Sequence, residues 1–389
     1  MDMEKKKGIY VTTTPMERLV EDTSDGISRK QFYHIQTFKN AGFDMDVINP
    51  KPEKEKWIYK IERRLPIPIP SPKSNVIDYV ASHDFMYIRN ERVMRGYFYL
   101  LVKRAKQKNP RMKVVLEIPT YPYENELRHM PFKDKILYFN GVLWRKDFLK
   151  YIDRIATYSR DDIIWGIRTI KFSNAIIFNK CKRTSLLTRL NGNTIEIIAC
   201  AQLTFWHGYD RALKGLADYY NKNADRKYNI LLHVVGDGPI KENCLEKYKA
   251  IVKEAGIEDK VIFHGRQSGA NLDAIYDKCI IGLDSMGRHR SQVYYNSSLK
   301  GKEYLAKGLI IVSGVDTELD YDNQYPYYIR VPADESNVDF YKIMDKLDCF
   351  LNENHISDIQ RKIMLYARDN FDYSVAMKDV IEFFDNNSL

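Results

Sequence analysis

The 389-residue sequence has no uninterrupted apolar run of about 18 residues, the least that a membrane-crossing helix needs. Its opening stretch, Met1 to Lys7, is charged and lacks the apolar core of a secretory signal. Cysteine is sparse. Cys181, Cys200, Cys244, Cys279 and Cys349 are scattered, odd in number and nowhere spaced as CxxC. That set argues against a disulfide frame or a metal site and predicts reduced core thiols. Zinc-finger spacing, an RNP-type motif and a clear helix-turn-helix are also missing, which argues against nucleic acid as a partner. No internal repeat or low-complexity tract occurs. These absences predict a cytoplasmic protein, at most peripheral on the inner face of the cell membrane.

What is present is ample for two cores. Apolar residues make up 44% of the chain and aromatics 13%, and the length exceeds one ordinary core. Twenty-eight tyrosines suggest concave surfaces lined with amphipathic rings. Lys and Arg outnumber Asp and Glu by 61 to 52, a net charge of +9. The partner this favours is anionic: a membrane face or a phosphorylated small molecule.

Strand-like apolar runs alternate with helix-period segments. The runs are Gly8–Thr12, Asp44–Ile48, Phe85–Arg89, Lys113–Ile118 and Arg154–Tyr158, then Ile195–Ala201, Asn229–Val235, Lys260–His264, Ile280–Asp284 and Leu309–Ser313. Several are continuous, as strands covered on both faces must be, so parallel sheets in an α/β chain are expected. A short strand over Ala175–Phe178 and a basic segment mark a boundary near residue 180. The stretch Asn49 to Lys73 holds six of the fourteen prolines and predicts an extended insertion.

Ligands of open parallel sheets sit beyond the carboxyl ends of the strands, so post-strand loops are the candidates. Gly26 opens the first helix after Asp25, where free N–H groups attract a diphosphate; a simple cap and turn explains it equally. Gly236, within Gly-Asp-Gly-Pro239, is a tight turn with Pro239 set for the first turn of the next helix. Glu303 lies in a short helix after Ser298, Leu299 and Lys300, ending at Gly308. An ionised carboxylate there can accept both hydroxyls of a ribose, or be merely solvated. Phe205-Trp-His-Gly-Tyr-Asp-Arg211 packs aromatics with His207 and Arg211 into one loop. Arg211 could meet a diphosphate, or pair with Asp210 as a cap. Glu117 to Glu124, with Pro119, Thr120, Tyr121, Pro122 and Tyr123, has the makings of a cleft wall that binds sugar, or of a structural loop.

Two basic, aromatic segments, Arg92–Lys113 and Lys133–Lys150 with Tyr138, Phe139, Trp144 and Phe148, could lie on an anionic membrane with rings inserted, or turn those rings to the core.

Taken in order, these segments resemble the retaining family-4 glycosyltransferases of the GT-B fold, in particular the bacterial surface-polysaccharide branch with a Trp-His-Gly-Tyr-Asp-Arg loop. The best segments are Phe205–Gly215, Leu231–Pro239, Val261–Gly265 with Leu272–Tyr276, and Ser298–Val312. The resemblance implies two Rossmann-like domains facing across a cleft: 1–178 on the acceptor side and 179–371 binding the nucleotide sugar, with a terminal helix, 372–389, packed back on the first. It implies hexosyl transfer from a UDP- or GDP-linked sugar to a growing glycan, with a lipid-linked acceptor such as a polyprenyl diphosphate. No metal or cofactor is expected, the nucleotide sugar being a substrate.

The resemblance places Glu303 on the ribose glutamate of the Glu-x7-Glu motif; Tyr295 stands where the other glutamate belongs. Donor contacts then fall to Tyr295, Asn296, Ser297, Ser298, Leu299 and Lys300, with Gly236, Gly265 and Arg266 in neighbouring loops. The family's diphosphate Arg and Lys correspond to Gln202 and His207, so Arg211, helped by Lys214 or Lys300, is expected to supply the charge. Gly26 matches the glycine-rich first loop, and Arg89 stands where the family has a histidine. Arg211, Lys300 and Arg89 are the residues expected nearest the reaction. The missing glutamate and cations leave two other readings open: an idle nucleotide-sugar-binding protein, or a nucleotide-sugar epimerase on the same fold.

Overall fold

A computed structural model describes residues 5–386 apart from 22, 24, 52–56, 58, 59, 62, 63, 66, 70, 90–94, 120, 123–130, 184 and 223–225. The chain divides into two compact units, one of residues 1–173 with 373–389, the other of residues 174–372.

In the first unit β1 (Lys7–Val11), β2 (Asp44–Ile48), β3 (Phe85–Arg89), β4 (Lys113–Ile118) and β5 (Arg154–Thr157) run parallel in the order β2-β1-β3-β4-β5. Every residue of β3 and β4 is buried, which is why both read as apolar runs, broken only by Arg89 in the one and by Lys113 and Glu117 in the other. The described helices of this unit include α1 (Gly26–Asn40), α2 (Ser74–Ala81), α3 (Gly96–Lys108) and α4 (Phe132–Phe148). Asp25 starts α1 by accepting from the N–H groups of Ile27 and Ser28, each at 3.2 Å. Beyond β5 the sheet continues into a hairpin, β6 (Ile163–Ile164) and β7 (Ile167–Lys171), with β7 parallel to β5. The sequence reading lacks this hairpin because its turn is made by Trp165 and Gly166, at φ 50° and 85°. Tryptophan is no turn signal.

The second unit holds β8 (Thr194–Cys200), β9 (Asn229–Val235), β10 (Val261–Gly265), β11 (Ile281–Leu283), β12 (Ile310–Ser313) and β13 (Tyr328–Arg330). All are parallel, in the order β10-β9-β8-β11-β12-β13. Its helices are α5 (Tyr209–Asn221), α6 (Cys244–Glu254), α7 (Gly269–Tyr276), α8 (Leu299–Ala306), α9 (Phe340–Glu353) and α10 (Ile356–Phe371).

Several local expectations need correcting. Residues 175–178 form no strand. Ile176 makes a single bridge with Asp372, and Phe178–Cys181 is a helical turn begun where Asp372 Oδ2 accepts from Phe178 N–H at 3.1 Å. The proline-rich insertion is helical at 57, 60, 61 and 64, because its prolines gather at either end and leave 53–65 free of them. Pro239 starts a turn and not a helix; α6 begins five residues on, after Asn243 at φ 52°. Cys349 is exposed on α9, while the other four thiols are buried or half-buried.

After residue 372 the chain returns to the first unit as a turn at Tyr373–Ala376 and α11 (Lys378–Asp385). Phe384 stacks on Phe85 with ring centres 4.0 Å apart, Met377 and Val380 are fully buried, and Lys113 Nζ donates to the Phe383 carbonyl at 2.7 Å. Each such apolar side chain stabilises the unit by roughly 1.5–3 kcal/mol. Among the described residues no helix is long and apolar enough to cross a membrane.

Candidate functional site

The carboxyl edge of the second unit's sheet is formed by loops 201–208 after β8, 236–243 after β9, 265–268 after β10 and 284–287 after β11. Backbone contacts lock them together. Gly236, at φ 128°, donates its N–H to the Gly265 carbonyl at 2.7 Å, and a Cβ there would fall 1.8 Å from the Ala201 carbonyl oxygen. Leu203 N–H donates to the Asp237 carbonyl at 2.6 Å. The Gly-Asp-Gly turn therefore serves to seat one loop on another. Gly208, at φ 63°, does the same between loops: a Cβ would lie 2.5 Å from the Gly287 nitrogen.

Against these loops stands the start of α8. Ser298 caps it, accepting from Gly301 N–H at 3.3 Å and donating to Asp284 Oδ1 at 2.8 Å. The N–H groups of Leu299 and Lys300, at the first two helical positions, have no acceptor within the helix. Lys300 Nζ donates to His207 Nδ1 at 2.9 Å and to Tyr209 Oη at 3.1 Å, and lies 3.4 Å from Asp284 Oδ1. Burial pulls the ammonium down to a pKa of about 8, against the opposing charge of Asp284; Arg288 pulls the same way as burial.

His207 accepts from Lys300 on Nδ1, so its proton sits on Nε2. Burial, then the charges of Lys300 and Arg288, push its pKa down to about 2. It is a neutral donor at physiological pH. Arg288 is a residue the sequence reading passed over; it lies in the Arg-His-Arg turn after β11, 3.5 Å from Asn296 Oδ1. A basic tripeptide just past a buried strand was the available signal. Glu303, half-buried on the middle turn of α8, makes its charge felt at Cys200, whose thiol is raised to about 11 by burial and then by that carboxylate.

Arg211 is placed otherwise than expected. Its side chain is 1% exposed and bonds to carbonyls: Nε to Ser336 at 2.7 Å, Nη2 to Pro332 at 3.0 Å, and Nη1 to Met286. Asp334 Oδ1 lies 3.4 Å away. The guanidinium thus ties the 332–336 segment to the turn at 286. Asp210 pairs with Arg290, at 2.8 and 2.9 Å, and not with Arg211. Gln202, Lys214 and Arg266 are exposed. Ser297 Oγ accepts from Asn174 N–H at 2.8 Å, and Tyr295 bridges to Asp316.

On the first unit, the carboxyl edge gathers Arg89 at the end of β3, Glu117 in β4, and Lys30 and His34 on α1, with Gly26 at its first residue. Glu117, with no exposure, accepts from Tyr87 and Tyr158, each at 3.0 Å, and from Arg89; Lys30 Nζ is 3.9 Å away. Burial pushes this carboxyl up, but Arg89, His34 and Lys30 outweigh it and hold the pKa at about 2. Burial takes His34 down to about 3. Lys30 is a second residue that the sequence reading left without a role. Thr120, Tyr123 and Glu124 of the proposed sugar-binding wall, and Arg92 of the first basic segment, lie outside the described residues.

Residues 188–283 match the model of the family "Glycosyl transferases group 1". No curated protein sequence matches the chain. Among solved structures, a glycosyltransferase from Rickettsia africae is similar over 99% of this chain and 100% of its own, at 13% identity and a TM-score of 0.63. Anabaena HepE, solved in complex with UDP, covers 98% and 100% at 12% identity and TM-score 0.60. A lipopolysaccharide outer core galactosyltransferase, WaaB, covers 98% and 100% at 13% identity and TM-score 0.57. The fold is the two-domain GT-B fold of these enzymes.

Proposed function

We propose that the protein is a retaining, hexosyl-type glycosyltransferase, moving a sugar from a UDP- or GDP-linked donor to a growing glycan on a lipid diphosphate, in bacterial surface polysaccharide synthesis. The observation that carries this reading is the cluster of Lys300, His207, Asp284 and Ser298 at the start of α8. Three of the loops around it fall within the segment matching the group 1 glycosyl transferases. The complexes of HepE with UDP and with UDP-glucose support a nucleotide-sugar donor on this fold.

A donor diphosphate at this edge meets the Lys300 ammonium, the unbonded N–H groups of Leu299 and Lys300, and the Nε2–H of His207. As the bond from the anomeric carbon to the diphosphate oxygen breaks, negative charge grows on that oxygen, and preorganised donors stabilise it. Arg288 adds a second cation, so turnover is expected without a divalent metal. Glu303, one turn along α8, accepts from the ribose hydroxyls. Gly236 and Gly265 hold the loops beneath. The acceptor belongs to the first unit's edge, with Gly26 and with Arg89 as positioned by Glu117.

A thermal-shift screen against UDP, GDP, ADP, TDP and CMP, with and without magnesium, tests the donor site, since a ligand of the folded state raises its stability. One diphosphate giving a metal-independent shift is the expected result. No shift with any of them removes the donor assignment. Binding without transfer to any glycan acceptor would favour the idle binding protein, and inversion at the anomeric carbon would remove retention.

A further inference from the structure

The helix α4 carries an apolar stripe on the side away from its core. Phe132, Phe139 and Leu143 are 76%, 57% and 69% exposed, and Ile136 lies between them. The spacing 132, 136, 139, 143 is one face of a helix. Leu137, Tyr138, Gly141 and Phe148 are buried on the opposite side, and Trp144 stacks on Tyr99 with ring centres 5.2 Å apart. The rings divide, then: Tyr138 and Phe148 serve the core, whereas Phe132 and Phe139 do not.

Lysines border the stripe on both sides. Lys135 and Lys146 flank it on one side and Lys133 on the other. Among the described residues none of the three has an acidic partner. Asp147, which borders the stripe beyond Leu143, is taken up by Lys103 at 3.1 Å and Lys150 at 3.0 Å.

We propose that this face of α4 lies on an anionic phospholipid surface, with Phe132, Phe139 and Leu143 among the acyl chains and Lys133, Lys135 and Lys146 at the headgroups. An apolar stripe bordered by lysines is the arrangement that suits the boundary of an anionic bilayer. A second copy of the chain suits it less, because a two-fold contact would set lysine against lysine. The face adds to the reading of a lipid-borne acceptor, yet vesicle binding is measured without donor or acceptor, so either reading can fail alone.

The test is co-sedimentation of the full chain with vesicles of phosphatidylcholine alone and with one-third phosphatidylglycerol. Pelleting with the anionic vesicles is expected. Paired Phe139→Ser and Leu143→Ser substitutions should weaken it by about tenfold or more. Paired Lys135→Glu and Lys146→Glu should weaken it as much, and only where phosphatidylglycerol is present. An unchanged melting temperature and circular dichroism spectrum, measured without ligand, show that the variants fold. No pelleting, equal pelleting on neutral vesicles, or full pelleting by the serine pair overturns the proposal. So does a dimer in solution that the serine pair dissolves, which would assign the face to a second copy.

Discussion

Raising the pH from 7 to 9 should weaken binding of a nucleotide sugar about tenfold, and replacing Lys300 by methionine should remove that dependence. The magnitude follows from burial. An ordinary lysine titrates near 10.5, but the Lys300 ammonium, enclosed by His207, Tyr209 and Asp284, is held at about 8. About nine-tenths of the molecules carry the charge at pH 7 and about one-tenth at pH 9, a factor near 10 in apparent affinity, or about 1.4 kcal/mol. A nucleotide sugar is the right probe, because its diphosphate is a diester and does not itself titrate in this range. Calorimetry at pH 9 in two buffers of different ionisation enthalpy should show close to one proton taken up per donor bound, and almost none for the bare nucleoside. Stability moves the opposite way. The pKa of the folded state is below that of the unfolded chain, which therefore binds more protons between pH 8 and 10.5, so this group adds stability as pH rises through that window. Lys300→Arg should keep binding and lose the pH dependence. Wild-type affinity that stays flat from pH 7 to 9, or an equal slope in Lys300→Met, refutes the reasoning.

Glu303→Ala should weaken the nucleoside itself about tenfold or more, as loss of hydrogen bonds to a charged acceptor does, and leave pyrophosphate binding alone; equal nucleoside affinity in titration sinks the ribose assignment. Arg211→Met should cost about 2–4 kcal/mol in urea denaturation, because the carbonyls of Met286, Pro332 and Ser336 lose their donor. Its ratio of nucleotide-sugar to nucleoside affinity should not change, and an unchanged urea midpoint would be the contrary result. His34, at about 3, and Glu117, at about 2, both bind protons more readily once unfolded. Their stabilisation is present above pH 6.5 and is lost as pH falls, first through His34 and below 4.5 through Glu117. Melting from pH 7 to 4 should show this, and His34→Gln should flatten the upper part; an identical decline in the variant would count against it. Gly236→Ala should cost more than about 3 kcal/mol, since no side chain fits at φ 128° against the Ala201 carbonyl. Normal yield and melting temperature would show that the loops can part.

Strand positions were legible because burial on both faces writes itself as largely apolar sequence: β3, β4 and β9 begin and end where the residues suggest. The α8 segment was legible too, from the glycine that ends it; the serine that caps its start was not read as a cap. What escaped depends on partners distant in sequence. Lys300 meets His207 across 93 positions, and the carbonyls that enclose Arg211 come from residues 286 and 332–336. No local pattern announces that a loop arginine will be consumed by carbonyls brought from elsewhere. The β6–β7 hairpin escaped for the reverse reason, its turn being made by a residue that local rules do not allow there.

The return of the chain to the first unit also sets an order of assembly during translation. Residues 174–372 form one unbroken stretch, so the second unit is complete as soon as they have left the ribosome. The first unit is not: Phe85 and Phe38 wait for Phe384, and Lys113 for the carbonyls of α11, all encoded after the entire second unit. The sheet begun first at the N-terminus is therefore the one sealed last.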